Sequence, residues 1–360
     1  MDNVKKIISI VLILTISTLI GCTKIEKVEN QKLDLFDVFK GRDVAKNYLN
    51  SIKNGDIISA NKLCEEELIS SNVNISEGVS DISGFQLDKT IASSEFAYFI
   101  FNVIRDSNIE PKSDLESYTI KVNRKDDSYT IGEVKSKPQR ELYVRNNALR
   151  IIGEQGGKSS LVISLNNVPK DTYLRENKVM LYKEKVPNNN FGKAILGFTG
   201  KKVAISTIDN KNTFICIAYI DDTLMKSGTD QVSQGESSKN NSINELQEVL
   251  EKPVTSKVVS VDLLNESTVE DFIFSNDDNN IAINYKDKLG IERLNIYKTD
   301  DGSEIETKFD DIFNKNIYNI KAQYFDDDKL FINVYKSDGN TDDITGNYNF
   351  NTKSLELIKL

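Results

Sequence analysis

The sequence predicts an α+β N-terminal region followed by a mainly antiparallel β region, which is either propeller-like or a sandwich. Two observations predict the first part. Apolar residues recur at helical spacing between residues 44 and 68, and strand-like patterns follow between residues 96 and 136. A third observation predicts the second part, because from residue 137 onward strand-like segments follow one another with turns rich in Gly, Asn, Asp and Lys between them.

The first 22 residues have the pattern of a secretion signal. Lys5 and Lys6 precede an uncharged apolar run over residues 7–20, which is short for a permanent membrane span of about 20 residues. Leu-Ile-Gly-Cys at residues 19–22 resembles the lipobox of bacterial lipoproteins, in which the Cys carries a lipid with fatty acids such as palmitate and the chain is cut before it. The resemblance implies that Cys22 is the lipidated first mature residue. The alternative is an ordinary cleaved signal peptide with an incidental Cys.

This resemblance implies a protein anchored by lipid to the cell membrane, on its extracytoplasmic face. The net charge of -9 argues against nucleic acid as a partner and against charge-driven binding to anionic lipid. The expected partners are therefore the membrane, through the N-terminal lipid, and an envelope protein or cell-wall component. The abundance of Lys, Asn, Ile and Asp, with no Trp and 5 Pro, favours a Gram-positive bacterium with an AT-rich genome.

Composition and pattern divide the chain into six segments. They are residues 1–21, the signal peptide; 22–41, a polar tether; 42–136, an α+β domain; 137–225, a β-rich region; 226–242, a linker or exposed loop; and 243–360, a short helix followed by a second β-rich region. The short helix has Ser242 and Glu245 as a capping box and ends at Pro253.

Two segments of the last region look like copies of one unit. "DDNNIAINYK" (277–286) and "DDDKLFINVYK" (326–336) each read as an acidic turn followed by a strand, 49 residues apart, and "GKKVAIS" (200–206) is a degenerate third copy. Periods of about 40 to 50 residues with several strands each are typical of β-propeller blades. A β-sandwich with similar hairpins explains the same pattern, so both architectures stay open.

The segment 42–136 resembles the NTF2-like (cystatin-like α+β) superfamily, which is found in many bacterial lipoproteins. The resemblance rests on a helix, the stop "NGD", a second helix and a sheet ending in "DDSYTIGEV". In that ending Asp127, Ser128, Tyr129 and Ile131 stand where the family often has a Gly-aromatic pattern. The resemblance implies helices that precede a concave antiparallel sheet, which can enclose a pocket.

The strand "FAYFIFNVI" (96–104) supplies apolar residues to both of its faces. One face therefore meets the helices, and the other meets a pocket or a partner. Phe96, Tyr98 and Ile100 share one face and are the candidate pocket residues. The alternative is that both faces are simply core.

Titratable residues limit the chemistry that the chain can perform. It contains no His, which excludes Ser/His and Cys/His catalysis and HExxH zinc sites. Cys64 and Cys216 read as small buried hydrophobes, and a disulfide between them stays open. We expect no catalytic residue and no cofactor.

Calcium is the metal for which the sequence offers weak candidates. Asp338, Asn340 and Asp342 alternate in "SDGNTDD" as calcium ligands do, but the run lacks the Gly at the sixth position and the Glu at the twelfth position of a calcium loop. A solvated turn explains the same residues, because Asp, Asn and Gly favour turns. We therefore expect no metal site.

The sequence favours a noncatalytic, lipid-anchored binding or assembly lipoprotein of the bacterial envelope. The alternative is a carboxylate-dependent hydrolase that acts on envelope polysaccharide. Two inward carboxyl groups about 5 to 9 Å apart in a groove would support that alternative.

Overall fold

The computed structural model describes residues 35–70, 80–126, 128–154, 156–173, 183–225 and 251–360. The predicted signal peptide with Cys22, the predicted linker at 226–242 and the start of the predicted short helix lie outside the described residues. Within the described part, the chain forms four α-helices and nineteen strands, so it is mainly β. None of the helices in this part is long and apolar enough to cross a membrane.

Three helices come first along the chain and the fourth lies among the later strands. They are α1 (Val38–Lys53), α2 (Ile57–Lys62), α3 (Glu66–Ser70) and α4 (Phe309–Ile312). The carboxylates of Asp37 and Asp56 cap α1 and α2 by accepting hydrogen bonds from backbone N–H groups. The apolar spacing in the sequence suggests one helix up to residue 68, but the structure has a break between α2 and α3. At this break Cys64 forms a β-bridge with Ile131.

The first sheet has six antiparallel strands in chain order. Its strands are β1 (Asp81–Ala92), β2 (Phe96–Asp106), β3 (Ser113–Lys125), β4 (Ser128–Arg145), β5 (Ala148–Ile152) and β6 (Ser160–Ser164). Helix α1 covers one face of this sheet, where Tyr48 and Leu49 share a core cluster with Phe99, Phe101 and Ile120.

The prediction of an α+β, NTF2-like N-terminal domain is wrong. Strands dominate this part of the chain, since α2 and α3 span only 6 and 5 residues. The sheet does not end at residue 136, where the predicted domain ends, because β4 continues to Arg145 and β5 and β6 follow it. The physical reason is that Leu142, Leu149 and Ile151 extend the apolar alternation and are buried in one core with the later sheets.

The later sheets confirm that the C-terminal part of the chain is β-rich. A short pair, β7 (Asp171–Tyr173) and β8 (Lys183–Lys185), precedes three antiparallel meanders. The second sheet consists of β9 (Asn190–Leu196), β10 (Lys202–Ile208), β11 (Thr213–Ile220) and β12 (Thr255–Leu264). The third consists of β13 (Thr268–Phe274), β14 (Asn280–Lys286) and β15 (Glu292–Lys298). The fourth consists of β16 (Tyr318–Asp326), β17 (Lys329–Lys336), β18 (Gly346–Asn351) and β19 (Leu357–Lys359).

The third sheet lies between the second and the fourth. On β14, Ile281 and Ile283 belong to the core shared with the second sheet, whereas Ala282 belongs to the core of the fourth. Successive residues of a strand point to opposite faces, so the three sheets are stacked face to face. Their first strands, β9, β13 and β16, contact one another in that order.

The three segments that the sequence groups as copies occupy equivalent places in these three sheets. Each lies at the turn of the first hairpin and continues into β10, β14 or β17. The residue at the turn has a positive φ in each case: +67° at Gly200, +56° at Asp278 and +51° at Asp327. Gly adopts this left-handed region freely, and Asp and Asn enter it more readily than most residues.

Candidate binding site

Charged residues from the first three sheets meet where the first sheet adjoins the later ones. The ammonium group of Lys193 on β9 lies 2.9 Å from Asp106 Oδ2 at the end of β2 and 3.9 Å from Asp271 Oδ1 on β13. It also donates hydrogen bonds to Asn108 Oδ1 at 3.0 Å and to the Glu270 carbonyl at 2.8 Å. Lys193 therefore donates two hydrogen bonds and forms an ion pair with Asp106, whose Oδ2 accepts no hydrogen bond from the described residues.

Helix α1 brings a second cation to this charged junction. Lys53, its last residue, donates a hydrogen bond to the Gln323 carbonyl on β16 at 3.4 Å. Burial lowers the pKa of Lys53, and the nearby carboxylates of Asp271 and Asp106 offset part of that shift. The helix thus reaches from the first sheet to the fourth.

Among the carboxyl groups of the junction, that of Asp271 has a raised pKa. Burial raises the pKa of Asp271 to about 6; attraction by Lys193 opposes this shift, and repulsion by Asp106 adds to it. Asp106 itself is 5% exposed. A buried carboxylate is costly unless a cation lies against it, and Lys193 supplies that cation. The ammonium group lies within 4 Å of both carboxyls, so the two acids form an ion network and not a free pair.

A groove of about 490 Å³ opens beside the junction. It is lined by the loop after β2 (residues 107–111), by residues of β9 and β10, and by the start of β13. Its apolar lining consists of Ile109, Pro111, Phe191, Ile208 and Val269. Most ligand sites in proteins are concave and combine an apolar wall with a few polar groups, and this groove has that composition.

Two glutamates, Glu110 and Glu270, are the acidic residues that line the groove. Glu110 is exposed on the loop wall, and its carboxylate forms no ion pair with the described residues. Glu270, at the start of β13, pairs with Lys286 at 2.9 Å. The cation that lines the groove, Lys193, is already surrounded by acceptors. The groove therefore presents to a ligand the carboxylate of Glu110 and a Glu270 carboxylate that Lys286 partly neutralises.

The predicted pocket residues lie on a different surface. Phe96, Tyr98 and Ile100 are half-buried and project from the face of β2 opposite the helices. The rings of Phe96 and Tyr98 meet edge to face with centroids 5.5 Å apart, and the Lys121 ammonium group lies 4.6 Å from the Phe96 ring centroid. We call Phe96, Tyr98 and Ile100 the aromatic strip. It does not line the groove.

The predicted calcium candidates lie in the turn after β17. Both oxygens of Asp338 accept hydrogen bonds from Asn340, at 3.0 and 2.8 Å. Asp342 accepts from Tyr318 at 2.7 Å and pairs with Lys336 at 2.6 Å. Lys336 and Tyr318 hold the pKa of Asp342 far below its usual range. These oxygens stabilise the turn, and in the part of the chain that the structure describes no cluster of His, Cys, Asp and Glu is arranged to hold a metal ion.

The two cysteines of the described ranges are both free thiols. Burial raises the pKa of Cys64 to about 11 and that of Cys216 to about 12. The reactive form of a cysteine is the thiolate, so both side chains stay protonated near neutral pH and contribute packing. The predicted lipidation site, Cys22, lies outside the described residues.

Sequence reasoning missed the charged junction and the groove. The available signal was charge within short strands that are rich in apolar residues: Lys193 in "NFGKAIL", and Glu270 and Asp271 in "TVEDFIF". A charged residue in such a run either lies on a solvent-facing edge or has a buried partner. The sequence cannot name the partner, because Asp106 and Lys193 belong to different sheets.

Comparison with protein families and curated proteins identifies no relative of this chain. The sequence matches no protein-family model and no curated protein. A puromycin-hydrolysing peptidase of Mycobacterium tuberculosis is similar over 76% of this chain, at 8% identity and a TM-score of 0.30, and this chain covers 38% of its length. Hsv2p of Kluyveromyces lactis covers 74% of this chain and is itself covered over 96%, at 10% identity and a TM-score of 0.23. TolB of Acinetobacter baumannii covers 62% of this chain and is covered over 74%, at 11% identity and a TM-score of 0.13. Such low scores carry no argument about function.

Proposed function

We propose that this chain is a lipid-anchored binding or assembly lipoprotein of the bacterial cell envelope. The observation that carries the proposal is Leu-Ile-Gly-Cys at residues 19–22, directly after a basic start and an uncharged apolar run. Cys22 carries the lipid and holds the β-rich part of the chain at the extracytoplasmic face of the cell membrane. Each buried methylene contributes about 0.8 kcal/mol, so two or more acyl chains anchor a protein firmly.

The proposed role is binding and not catalysis. The chain has no His, and the thiols of Cys64 and Cys216 have pKa values raised by burial. Glycoside hydrolysis needs two carboxyls with room for the sugar between them. Asp106 and Asp271, which come together at the junction, have the Lys193 ammonium group within 4 Å of both. A groove with an apolar wall and an aromatic strip support contact with an envelope protein or cell-wall partner.

A carboxylate-dependent hydrolase is the second candidate, and one observation favours it. The pKa of Asp271 is raised to about 6, which is in the range that a general acid needs near neutral pH. Purified protein incubated with cell-wall polysaccharide separates the two proposals. Binding without release of reducing ends supports the first. Release of reducing ends that is lost in Asp271→Asn would replace it with the second.

The anchor is tested by expressing the full chain in a Gram-positive bacterium fed with an alkyne analogue of palmitate. We expect the wild-type chain to carry the label and to sediment with membranes. We expect Cys22→Ala to be unlabelled and either released or retained as uncleaved precursor. Cys64→Ala is the matched control, because it removes a thiol that takes no lipid. A correctly cleaved Cys22→Ala chain that stays on the membrane would overturn the proposal.

A further inference from the structure

The groove beside Lys193 has a fixed wall. Ser107 Oγ accepts hydrogen bonds from the backbone N–H groups of Ile109 at 3.1 Å and Glu110 at 3.4 Å. The Lys112 N–H donates to the Glu110 carbonyl at 2.8 Å, and the Ser107 N–H donates to the Lys112 carbonyl at 3.1 Å. The loop is therefore closed on itself by its own hydrogen bonds. A wall that is already ordered loses less conformational entropy when a ligand binds.

Two features of the groove determine which ligand fits. The carboxylates of Glu110 and Glu270 provide acceptors, whereas the nearby cation, Lys193, already forms an ion pair with Asp106 and donates two hydrogen bonds. Ile109, which is 88% exposed, forms an apolar rim next to Glu110. An anionic ligand would meet the carboxylates of Glu110 and Glu270, and the nearest ammonium groups, those of Lys193 and Lys286, are already paired with carboxylates. A cationic group next to an apolar group complements both features.

We infer that this groove binds a basic peptide segment, with a Lys or Arg side chain at the glutamates and a neighbouring apolar side chain against Ile109. The inference rests on the proposed binding role and names the partner chemistry for it. A peptide fits better than a small amine, because an amine alone leaves the apolar wall and Ile109 in water. Charge complementarity of this kind sets specificity and association rate more than affinity, so binding is weak and sensitive to salt.

The probe is a fluorescein-labelled peptide, Gly-Ser-Leu-Lys-Leu-Ser-Gly, titrated with the full lipidated protein in detergent and followed by fluorescence anisotropy. The comparison peptide has norleucine in place of Lys, which keeps the apolar chain and removes the charge. We expect the Lys peptide to bind at concentrations below about 1 mM, with an affinity that falls as salt rises. The norleucine peptide should bind more weakly and with less dependence on salt.

Variants locate the binding to the groove. Glu110→Gln should weaken the Lys peptide about three- to fivefold, since exposed ion pairs contribute little singly, and adding Glu270→Gln should weaken it about tenfold in total. Glu356→Gln removes an exposed carboxylate elsewhere and should change nothing. Ile109→Ser should weaken both peptides, whereas Ile58→Ser, at another exposed Ile, should weaken neither.

Three outcomes would each overturn the inference: equal binding of the Lys and norleucine peptides, unchanged affinity in Glu110→Gln, or no binding at about 1 mM. Any of them leaves the lipid anchor untouched, because the anchor is measured independently at Cys22. Loss of lipid labelling at Cys22 would in turn leave a positive peptide result standing as a property of the groove.

Discussion

The side-chain amide of Asn284 on β14 forms two hydrogen bonds with the backbone of Ala322 on β16. Its Nδ2 donates to the Ala322 carbonyl at 3.0 Å, and its Oδ1 accepts from the Ala322 N–H at 2.9 Å. Asn284 is 2% exposed and Ala322 1%. Buried backbone groups must be paired, and here one amide side chain from the third sheet pairs a peptide unit of the fourth.

Asn284→Ala should therefore destabilise the protein by about 2 to 3 kcal/mol, because it leaves a buried N–H and a buried carbonyl without partners. Asn333 is the matched control. It holds the corresponding position of the β16–β17 hairpin, but its amide makes an exposed hydrogen bond to Asn347. Asn333→Ala should cost less than about 1 kcal/mol. Urea unfolding measures the free energy of unfolding of both variants. Equal losses of stability would show that the buried hydrogen bonds of Asn284 stabilise the protein no more than the exposed one of Asn333.

Asp278 connects the second sheet to the third in a comparable way. Its carboxylate accepts hydrogen bonds from the Phe198 N–H at 2.8 Å and from the Thr199 N–H at 2.9 Å and hydroxyl at 2.5 Å. It fits because position 197 is Gly: a Cβ there would lie 2.6 Å from the carboxylate. The side chain is fully buried, with 0% exposure, and burial raises its pKa.

We predict that Asp278→Ala costs about 3 kcal/mol or more, since it removes three acceptor contacts and places Ala at a positive φ. Asp327→Ala is the control, because Asp327 turns the equivalent hairpin at φ +51° while exposed to solvent. Asp327→Ala also places Ala at a positive φ but removes no buried hydrogen bonds, so it should lower the free energy of unfolding by only about 1 kcal/mol. Thermal unfolding of the two variants measures the difference, and similar melting temperatures would contradict the prediction.

These two contacts show how far the sequence predicts the fold. It identifies the hairpins, because Asp, Asn and Gly at a turn followed by alternating apolar residues are local signals. It does not distinguish Asp278 from Asp327, although they occupy equivalent turns. The difference lies in Phe198 and Thr199, which come from another sheet, and sheet stacking brings them to Asp278 alone.

The error in the N-terminal fold class has a similar origin. The helical pattern between residues 44 and 68 and the strand-like patterns between residues 96 and 136 are local signals, and they were recognised in the sequence. The extent of the sheet depends on what buries Leu142, Leu149 and Ile151, and those partners lie on strands of the second and third sheets. Periodicity shows which face of a strand is apolar, but it does not show which element covers that face.

Asp271 should give the protein a pH-dependent stability. Its pKa is raised by burial to about 6 in the folded state, above the value of about 3.9 in an unfolded chain. The folded state therefore holds the proton more tightly, so this carboxyl's contribution to stability is present below about pH 4 and is lost as pH rises to about 6. Asp271→Asn does not titrate, so its stability relative to wild type should rise by about 1 to 2 kcal/mol between pH 4 and 7, after allowance for partial exposure.

Urea unfolding of wild type and Asp271→Asn at pH 4, 5, 6 and 7 measures this change. Asp310→Asn, at an exposed position on α4, is the control and should follow the wild-type curve. A stability difference between Asp271→Asn and wild type that falls as pH rises would mean that attraction by Lys193 outweighs burial.

The aromatic strip should tolerate truncation that the opposite face of the same strand does not. Phe96 and Tyr98 are half-buried, whereas Phe99 and Phe101 have 0% exposure beneath α1. Phe99→Ala should cost about 3 to 5 kcal/mol, the loss typical of a buried Phe, and Phe96→Ala or Tyr98→Ala about 1 kcal/mol. Urea midpoints at constant slope measure these losses. If the strip variants lose as much as Phe99→Ala, the strip is core and offers no surface to a partner. If they lose little, the rings of the strip contribute little to folding and stay partly exposed to water. Exposing apolar rings to water is unfavourable, and an envelope partner that covered the strip would remove that free-energy cost.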